Sequence, residues 1–126
     1  MAQPLSRPDV EPPTGPAPDD LVIEDLVVGD GQEARAGDLI SAHYVGVTHD
    51  GGEQFDASWD RGDPLEFRLG VGMVIQGWDE GIQGMRVGGR RRLTIPAHKA
   101  YGDRGAGGVI APGATLVFVV DLVGIR

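Results

Sequence analysis

Apolar and polar positions alternate in several separate stretches of this chain, and in one stretch the period is different. From Leu39 to Thr48 the alternation puts Ala42 and Tyr44 on one face and His43 and Val45 on the other, which predicts a half-buried strand. His49-Asp50-Gly51-Gly52 follows, and Asp-Gly is a strong hairpin signal, so Glu53 to Ala57 is the expected return strand. Leu65-Glu66-Phe67-Arg68-Leu69 alternates cleanly, and Arg91, Leu93 and Ile95 alternate with Arg92 and Thr94. Leu116 to Val123 is the longest apolar run, interrupted only by Asp121, and predicts a central strand. Strands separated by turns imply an antiparallel sheet with one face left to be covered.

The period changes once. Ile75, Trp78, Ile82 and Met85 are spaced by 3, 4 and 3 residues, a helical face. Asp79 and Glu80 lie early and Arg86 late, in the sense that suits the helix dipole, and Gly88 follows as a stop signal. Gly77, Gly81 and Gly84 each cost a helix about 1 kcal/mol relative to Ala, so this helix must be held by packing its Trp/Ile/Met face on the sheet. The expected fold class is α+β: a twisted antiparallel sheet with one short helix.

Composition divides the chain near residue 20. Pro4, Pro8, Pro12, Pro13, Pro16 and Pro18 are six of the nine prolines, whereas Gly15 is the one glycine among the first 19 residues. Residues 1–19 therefore read as a disordered or polyproline-II tail, and the PxxP at Pro13 to Pro16 is expected from composition alone. Residues 20–126 form one domain, and 126 residues are enough to bury about two-thirds of the unfolded surface. The absence of cysteine excludes disulfides, thiol catalysis and Cys-type metal sites. A net charge of −8 argues against nucleic acid as a partner. No apolar run approaches the roughly 18–20 residues of a membrane span, and the N-terminus has no apolar leader segment, so a cytoplasmic protein with no membrane partner is expected. No P-loop, zinc-protease or serine-hydrolase motif occurs.

Side chains suited to bond-breaking chemistry are scarce. His43, His49 and His98 have no metal-ligand spacing, and they read as solvated or capping residues. Arg90-Arg91-Arg92 splits between the two faces of a strand and reads as part of a solvated sheet rather than a phosphate site. Residues 1–66 hold 15 acids and 3 bases and residues 67–126 hold 4 acids and 8 bases, an asymmetry that either steers partners or draws the two halves together. The seven aromatics, Tyr44, Phe55, Trp59, Phe67, Trp78, Tyr101 and Phe118, come from different elements. They suit a shared aromatic core. The alternative is an apolar pocket between helix and sheet in which Tyr44, Asp56 and Tyr101 are the few polar groups, the usual make-up of a ligand site.

Several motifs occur in a telling order: His43-Tyr44-Val45-Gly46, Asp50-Gly51, Phe55-Asp56-Ala57-Ser58, Val74-Ile75-Gln76-Gly77-Trp78-Asp79-Glu80-Gly81, Leu93-Thr94-Ile95-Pro96, Ala100-Tyr101-Gly102 and Ala114-Thr115-Leu116-Val117-Phe118. Over residues 20 to 126 the series resembles the FKBP-type peptidyl-prolyl cis-trans isomerases, in a single-domain, bacterial-like form. The resemblance implies a half-wrapped antiparallel sheet around one short helix, and acceleration of X-Pro rotation in proline-containing polypeptides by a monomer that needs neither cofactor nor metal. It also implies binding of macrolides such as rapamycin or tacrolimus. Carried over by position, Trp78 would form the pocket floor and Tyr44, Phe55, Val74, Ile75 and Phe118 its walls. Tyr101, Val109 and Ile110 would come from the loop before the last strand. Asp56 would sit at the rim, bonded near Tyr44 and paired with Arg61. The Ile75 N–H and the Tyr101 hydroxyl would be donors to a bound peptide carbonyl. Two departures stand out. Leu65 takes a wall position that is usually Phe, and the flap Gly105-Ala106-Gly107-Gly108-Val109-Ile110 is unusually rich in glycine, which predicts greater mobility there.

Overall fold

The alternating stretch at Leu39–Thr48 forms a ten-residue strand in the computed structural model, which describes residues 6–126. The start of the proline-rich segment, Pro4 included, lies outside the described residues. In chain order the elements are β1 (Val22–Val27), β2 (Leu39–Thr48), β3 (Gln54–Ala57), α1 (Ser58–Arg61), β4 (Leu65–Arg68), α2 (Gln76–Gly81), β5 (Arg90–Ile95) and β6 (Leu116–Ile125). Two 3-10 turns, Ala97–Lys99 and Gly102–Arg104, precede β6.

All six strands form one antiparallel sheet in the order β1-β5-β6-β2-β3, with β4 pairing the early part of β2. β6 is central, as its apolar run predicts, and it registers against β2 from Ile40↔Ile125 to Thr48↔Leu116. β2 serves two partners along its length: Leu39–Ala42 face β4, and Val45–Val47 face β3. Bulges at Ser41/Ala42 and Gly46/Val47 add local twist that curves the sheet around its contents.

The period-2 pattern separates two apolar clusters. The inner one includes Ile40, Ala42, Tyr44, Phe67, Leu93, Ile95, Leu116, Phe118 and Val120 from the strands, and Trp78, Ile82 and Met85 from the helical region. The outer one comprises Val45, Val47, Ala57 and Val117. Each fully buried aliphatic side chain contributes about 1.5–3 kcal/mol, so the inner cluster dominates stability.

α2 is shorter than its sequence pattern. It ends at Gly81, and Met85 and Arg86 lie beyond it. There the chain is held by pairing with the loop before β2, through Ala34 N–H to Met85 O (2.7 Å) and Val87 N–H to Gln32 O (3.0 Å). Arg86 therefore does not serve the helix dipole. Arg91 of β5 takes that place, donating to the Gly81 carbonyl at 2.8 Å and the Gln83 carbonyl at 3.0 Å. The helical glycines have a packing reason: a Cβ on Gly77 would lie 2.5 Å from Ile95, and one on Gly81 would lie 2.7 Å from Leu93. Side-chain-free positions let α2 lie directly on β5.

Other expectations are corrected. A second helix, the single turn α1, follows β3. β1 is an additional edge strand whose apolar residues are mostly exposed. The three arginines of β5 are paired rather than solvated: Arg90 with Asp121 (2.6 Å), Arg91 with Asp25 (2.7 Å) and Arg92 with Glu24 (2.7 Å). With Asp20–Lys99, Glu33–Arg86 and Glu66–Arg126, most of these pairs join an acid of the first half to a base of the second, so the charge asymmetry draws the halves together. His43 is neither solvated nor a cap. It stacks on Trp59 with ring centroids 4.1 Å apart, and its Nδ1 lies 2.8 Å from Ser58 Oγ.

Candidate active site

A cavity of about 420 Å³ opens where α2 meets the concave face of the sheet. Tyr44 of β2, Asp56 of β3 and Phe118 of β6 reach it because alternation turns every second side chain inward, and Phe55 reaches it from the bulge between β2 and β3. Leu65 enters from β4, Val74 and Ile75 from the loop before α2, Trp78 from α2 itself, and Tyr101 from the loop before β6.

The rings form an edge-on assembly around Trp78. The Tyr44 centroid lies 4.8 Å from Trp78, Phe118 lies 5.2 Å from it at 83°, and Phe55 meets Phe118 at 5.4 Å and 89°. Such contacts contribute about 0.5–1.5 kcal/mol each beyond area burial. Tyr44, Trp78 and Phe118 are at most 5% exposed. The two sequence readings of the aromatics thus meet: one cluster is core beneath and cavity wall above. Gly46 makes this possible, since a Cβ there would lie 2.6 Å from Phe55 and 2.7 Å from Phe118. Sequence reasoning passed over Gly46 as a site residue, and it also missed Gly72 and Met73, which line the cavity mouth.

The polar groups are few and interlocked. The Tyr44 hydroxyl donates to Asp56 Oδ2 at 2.6 Å and accepts from Arg61 Nη2 at 2.8 Å, while Arg61 Nη1 donates to Asp56 Oδ1 at 2.7 Å. This triangle holds the carboxylate at the cavity edge. Burial, then the hydrogen bond to Asp56, pushes the Tyr44 phenol above its ordinary pKa. Burial, then the negative charge of Asp56, does the same to Tyr101. Both phenols therefore stay protonated donors well into the alkaline range. Asp79 organises the approach to α2, accepting from the Gly70 N–H at 2.8 Å and the Gly72 N–H at 2.9 Å. The indole N–H of Trp78 is buried without an acceptor among the described residues.

Three of the sequence candidates do not line the cavity: Arg61 stands behind its edge, bonded to Asp56 and Tyr44, and the other two belong to the flap. Ile110 is buried in the inner core cluster, and Val109 is 61% exposed at the flap tip. The flap is a closed turn in which Ala106 and Ile110 exchange backbone hydrogen bonds at 2.9 and 3.0 Å. Gly105, Gly107 and Gly108 all take positive φ there (64°, 52° and 73°), so the turn itself requires glycine. Among the described residues, no group of three or more His, Cys, Asp or Glu side chains could hold a metal ion.

Comparison with known proteins agrees with this geometry. Residues 30–123 match the family model for FKBP-type peptidyl-prolyl cis-trans isomerase. The chain is 62% identical over 122 residues to the FK506-binding protein of Streptomyces anulatus, covering 96% of this chain and 98% of that one. It is 54% identical over 119 residues to the probable FK506-binding protein of Corynebacterium glutamicum, covering 94% and 98%. Among solved structures it is similar to AtFKBP13, with TM-score 0.79 and 47% identity over 87% of this chain and 96% of that one. It is also similar to FkpA from Escherichia coli, with TM-score 0.76 and 40% identity over 84% of this chain and 48% of that one.

Proposed function

The chain belongs to the FKBP-type peptidyl-prolyl cis-trans isomerase family, and on that premise we propose that its aromatic cavity grips the prolyl ring of X-Pro segments in folding polypeptides and lowers the barrier to their rotation. The reading includes binding of macrolides such as tacrolimus or rapamycin in the same cavity, as the names of its relatives suggest. It also includes action as a monomer, since one chain supplies every cavity wall, and a cytoplasmic location, where newly made chains present X-Pro bonds. No helix among the described residues is long and apolar enough to cross a membrane.

Rotation about an amide removes its resonance, at a cost of about 18–20 kcal/mol. No covalent bond breaks, so the reaction needs no nucleophile. The planar amide is the more charge-separated form and the twisted transition state the less, so an apolar enclosure favours the twisted form relative to water. That is differential binding of the transition state. A million-fold acceleration requires about 8 kcal/mol. In this reading Trp78, Phe118, Phe55 and Tyr44 hold the ring, with Val74, Ile75 and Leu65 completing the apolar wall. The Ile75 N–H and the Tyr101 hydroxyl fix the neighbouring carbonyl, and Asp56, held by Tyr44 and Arg61, sets the field at the rim. The observation that carries the reading is the edge-on ring assembly open to solvent beside a single fixed carboxylate.

A protease-coupled isomerisation assay on a Leu-Pro-Phe peptide tests it, with and without tacrolimus. The expected result is fast isomerisation, abolished by the drug, and lowered about tenfold or more in Asp56→Ala, which loses hydrogen bonds to a charged group. Full activity in folded Asp56→Ala and Trp78→Leu variants would sink the assignment of the cavity.

A further inference from the structure

The proline-rich segment has a place in the structure. Residues 6–18 contain no helix or strand, yet residues 6–12 touch the outer face of the sheet and the β2–β3 turn, away from the cavity. The Ser6 carbonyl accepts a hydrogen bond from Arg90. Pro8 is buried, and Val10 packs with Trp59 on the outer cluster of Val45, Val47, Ala57 and Val117. Pro12 lies against the β2–β3 turn, where a Cβ on Gly52 would come within 3.1 Å of its ring.

Arg7 stands at the centre of this contact. Its Nε donates to Asp60 Oδ1 at 3.2 Å, and its Nη2 donates to Gln54 Oε1. Gln54 Nε2 in turn donates to Asp60 Oδ2 at 2.8 Å, which closes a ring of three side chains. Gln54 and Asp60 bracket the stretch that carries Phe55 and Asp56, and Arg61 follows directly. Behind this stretch His43 stacks on Trp59 at 4.1 Å and Ser58 Oγ accepts from the Tyr44 N–H at 2.7 Å, but the regular structure of the stretch itself is short. β3 has four residues and pairs β2 across a bulge, and α1 is a single turn with no side-chain cap at its start.

We propose that residues 6–12 act as a strap belonging to the folded domain, and that Arg7 is a positioning residue for the active site. By tying Gln54 to Asp60 on the outer face, it holds the β3–α1 stretch so that Asp56 and Arg61 keep their geometry with Tyr44 on the inner face. The domain boundary drawn at residue 20 from composition then falls inside the working unit. The inference rests on the reading of Asp56, Tyr44 and Arg61 as part of the active site. Arg7 and Asp60 are both partly exposed, which bounds the size of the effect.

The test uses the full chain carrying Arg7→Ala, Arg7→Lys or Asp60→Asn, the last opening the same ring from its other side. In Arg7→Ala the backbone amide signals of residues 54–61 shift, and kcat/KM and tacrolimus affinity both fall about threefold, the size expected of a partly exposed pair. The Tm falls by about 2 °C or less, so the loss is not one of folded protein. Arg7→Lys keeps the charge beside Asp60 and restores part of the loss, and Asp60→Asn reproduces the Arg7→Ala shifts. Unmoved amide signals at 54–61 in both Arg7→Ala and Asp60→Asn would overturn the strap, as would shifted amides with kcat/KM and drug affinity unchanged. The amide spectrum is read without turnover, so a protein that failed the isomerase assay would refute the proposed activity while this measurement still decided whether Arg7 holds the segment.

Discussion

The two faces of one sheet do different things with the same strands. On the inner face, β2 and β6 present Tyr44 and Phe118; on the outer face, one residue along, they present Val45 and Val117. The inner side chains are large, planar and crossed edge to face, and they leave an opening of about 420 Å³ at their rim. The outer cluster is made of short aliphatic groups, Val45, Val47, Ala57 and Val117, with Val10 of the N-terminal segment and Trp59 packed against it. Rigid rings meeting at steep angles fill space badly at the edge of a cluster, whereas short aliphatic groups form an even surface that a proline-rich segment can follow. Stability and recognition are thereby drawn from opposite sides of the same backbone.

The contrast is broken most forcefully by truncation. Phe118→Ala removes a buried ring that touches Tyr44, Phe55 and Trp78, and it is expected to cost about 3–5 kcal/mol. Val45→Ala on the outer face is expected to cost about 1.6 kcal/mol, two buried methyl groups at roughly 0.8 each. Urea unfolding of the two variants measures the difference directly, and equal losses would mean that the inner cluster is not the main source of stability.

An intermediate effect is expected at the ion pair behind the strap. Asp121 is 5% exposed and pairs with Arg90 at 2.6 Å. Asp121→Asn leaves the guanidinium half-paired and is expected to cost up to about 3 kcal/mol, near the lower end for breaking a buried pair. Unfolding at low and at 1 M salt sharpens the point, because a buried pair is screened less than an exposed one. A loss that disappears in salt would place the pair in solvent.

The smallest effect is the alkaline titration of the inner face. The phenols of Tyr44 and Tyr101 are pushed above their ordinary value in the folded protein, so folding holds their protons more tightly than the unfolded chain does. Their contribution is full below pH about 10 and is lost as pH rises through the raised folded values. Stability should decline from about pH 10 upward, less steeply in Tyr44→Phe. An unchanged slope in that variant would remove Tyr44 from the account.

Much of the fold is legible along the chain because alternation encodes which face is buried. β2, β4 and β5 follow from it, β6 from its continuous apolar run, and the Trp78-Ile82 spacing locates α2. β1 escapes this signal: Val22, Ile23, Leu26 and Val27 do not alternate, since an edge strand this exposed has no buried face to mark. Arg86 was misplaced for a related reason. Charge spacing along a helix predicts its own neighbours, and the cation at the end of α2 comes instead from Arg91, one strand away. Tyr44, Phe55, Val74, Ile75, Trp78 and Phe118, drawn from separate short motifs, line the cavity, whereas the positions of Val109 and Ile110 depend on how a glycine turn closes, which no local pattern states.

What the chain determined by itself, then, was the identity of most of its strands, the place of α2 and a set of aromatics spread over different elements. These are consequences of period and side-chain size, which act over a few residues. Only the tertiary structure decided that Gly46, Gly77 and Gly81 stand where other side chains and α2 must approach the sheet. It alone closed the Asp56–Tyr44–Arg61 triangle and laid the proline-rich segment across Val45 and Val117 with Arg7 between Gln54 and Asp60. Those contacts join residues far apart in sequence, and their partners are chosen by the curvature of the sheet.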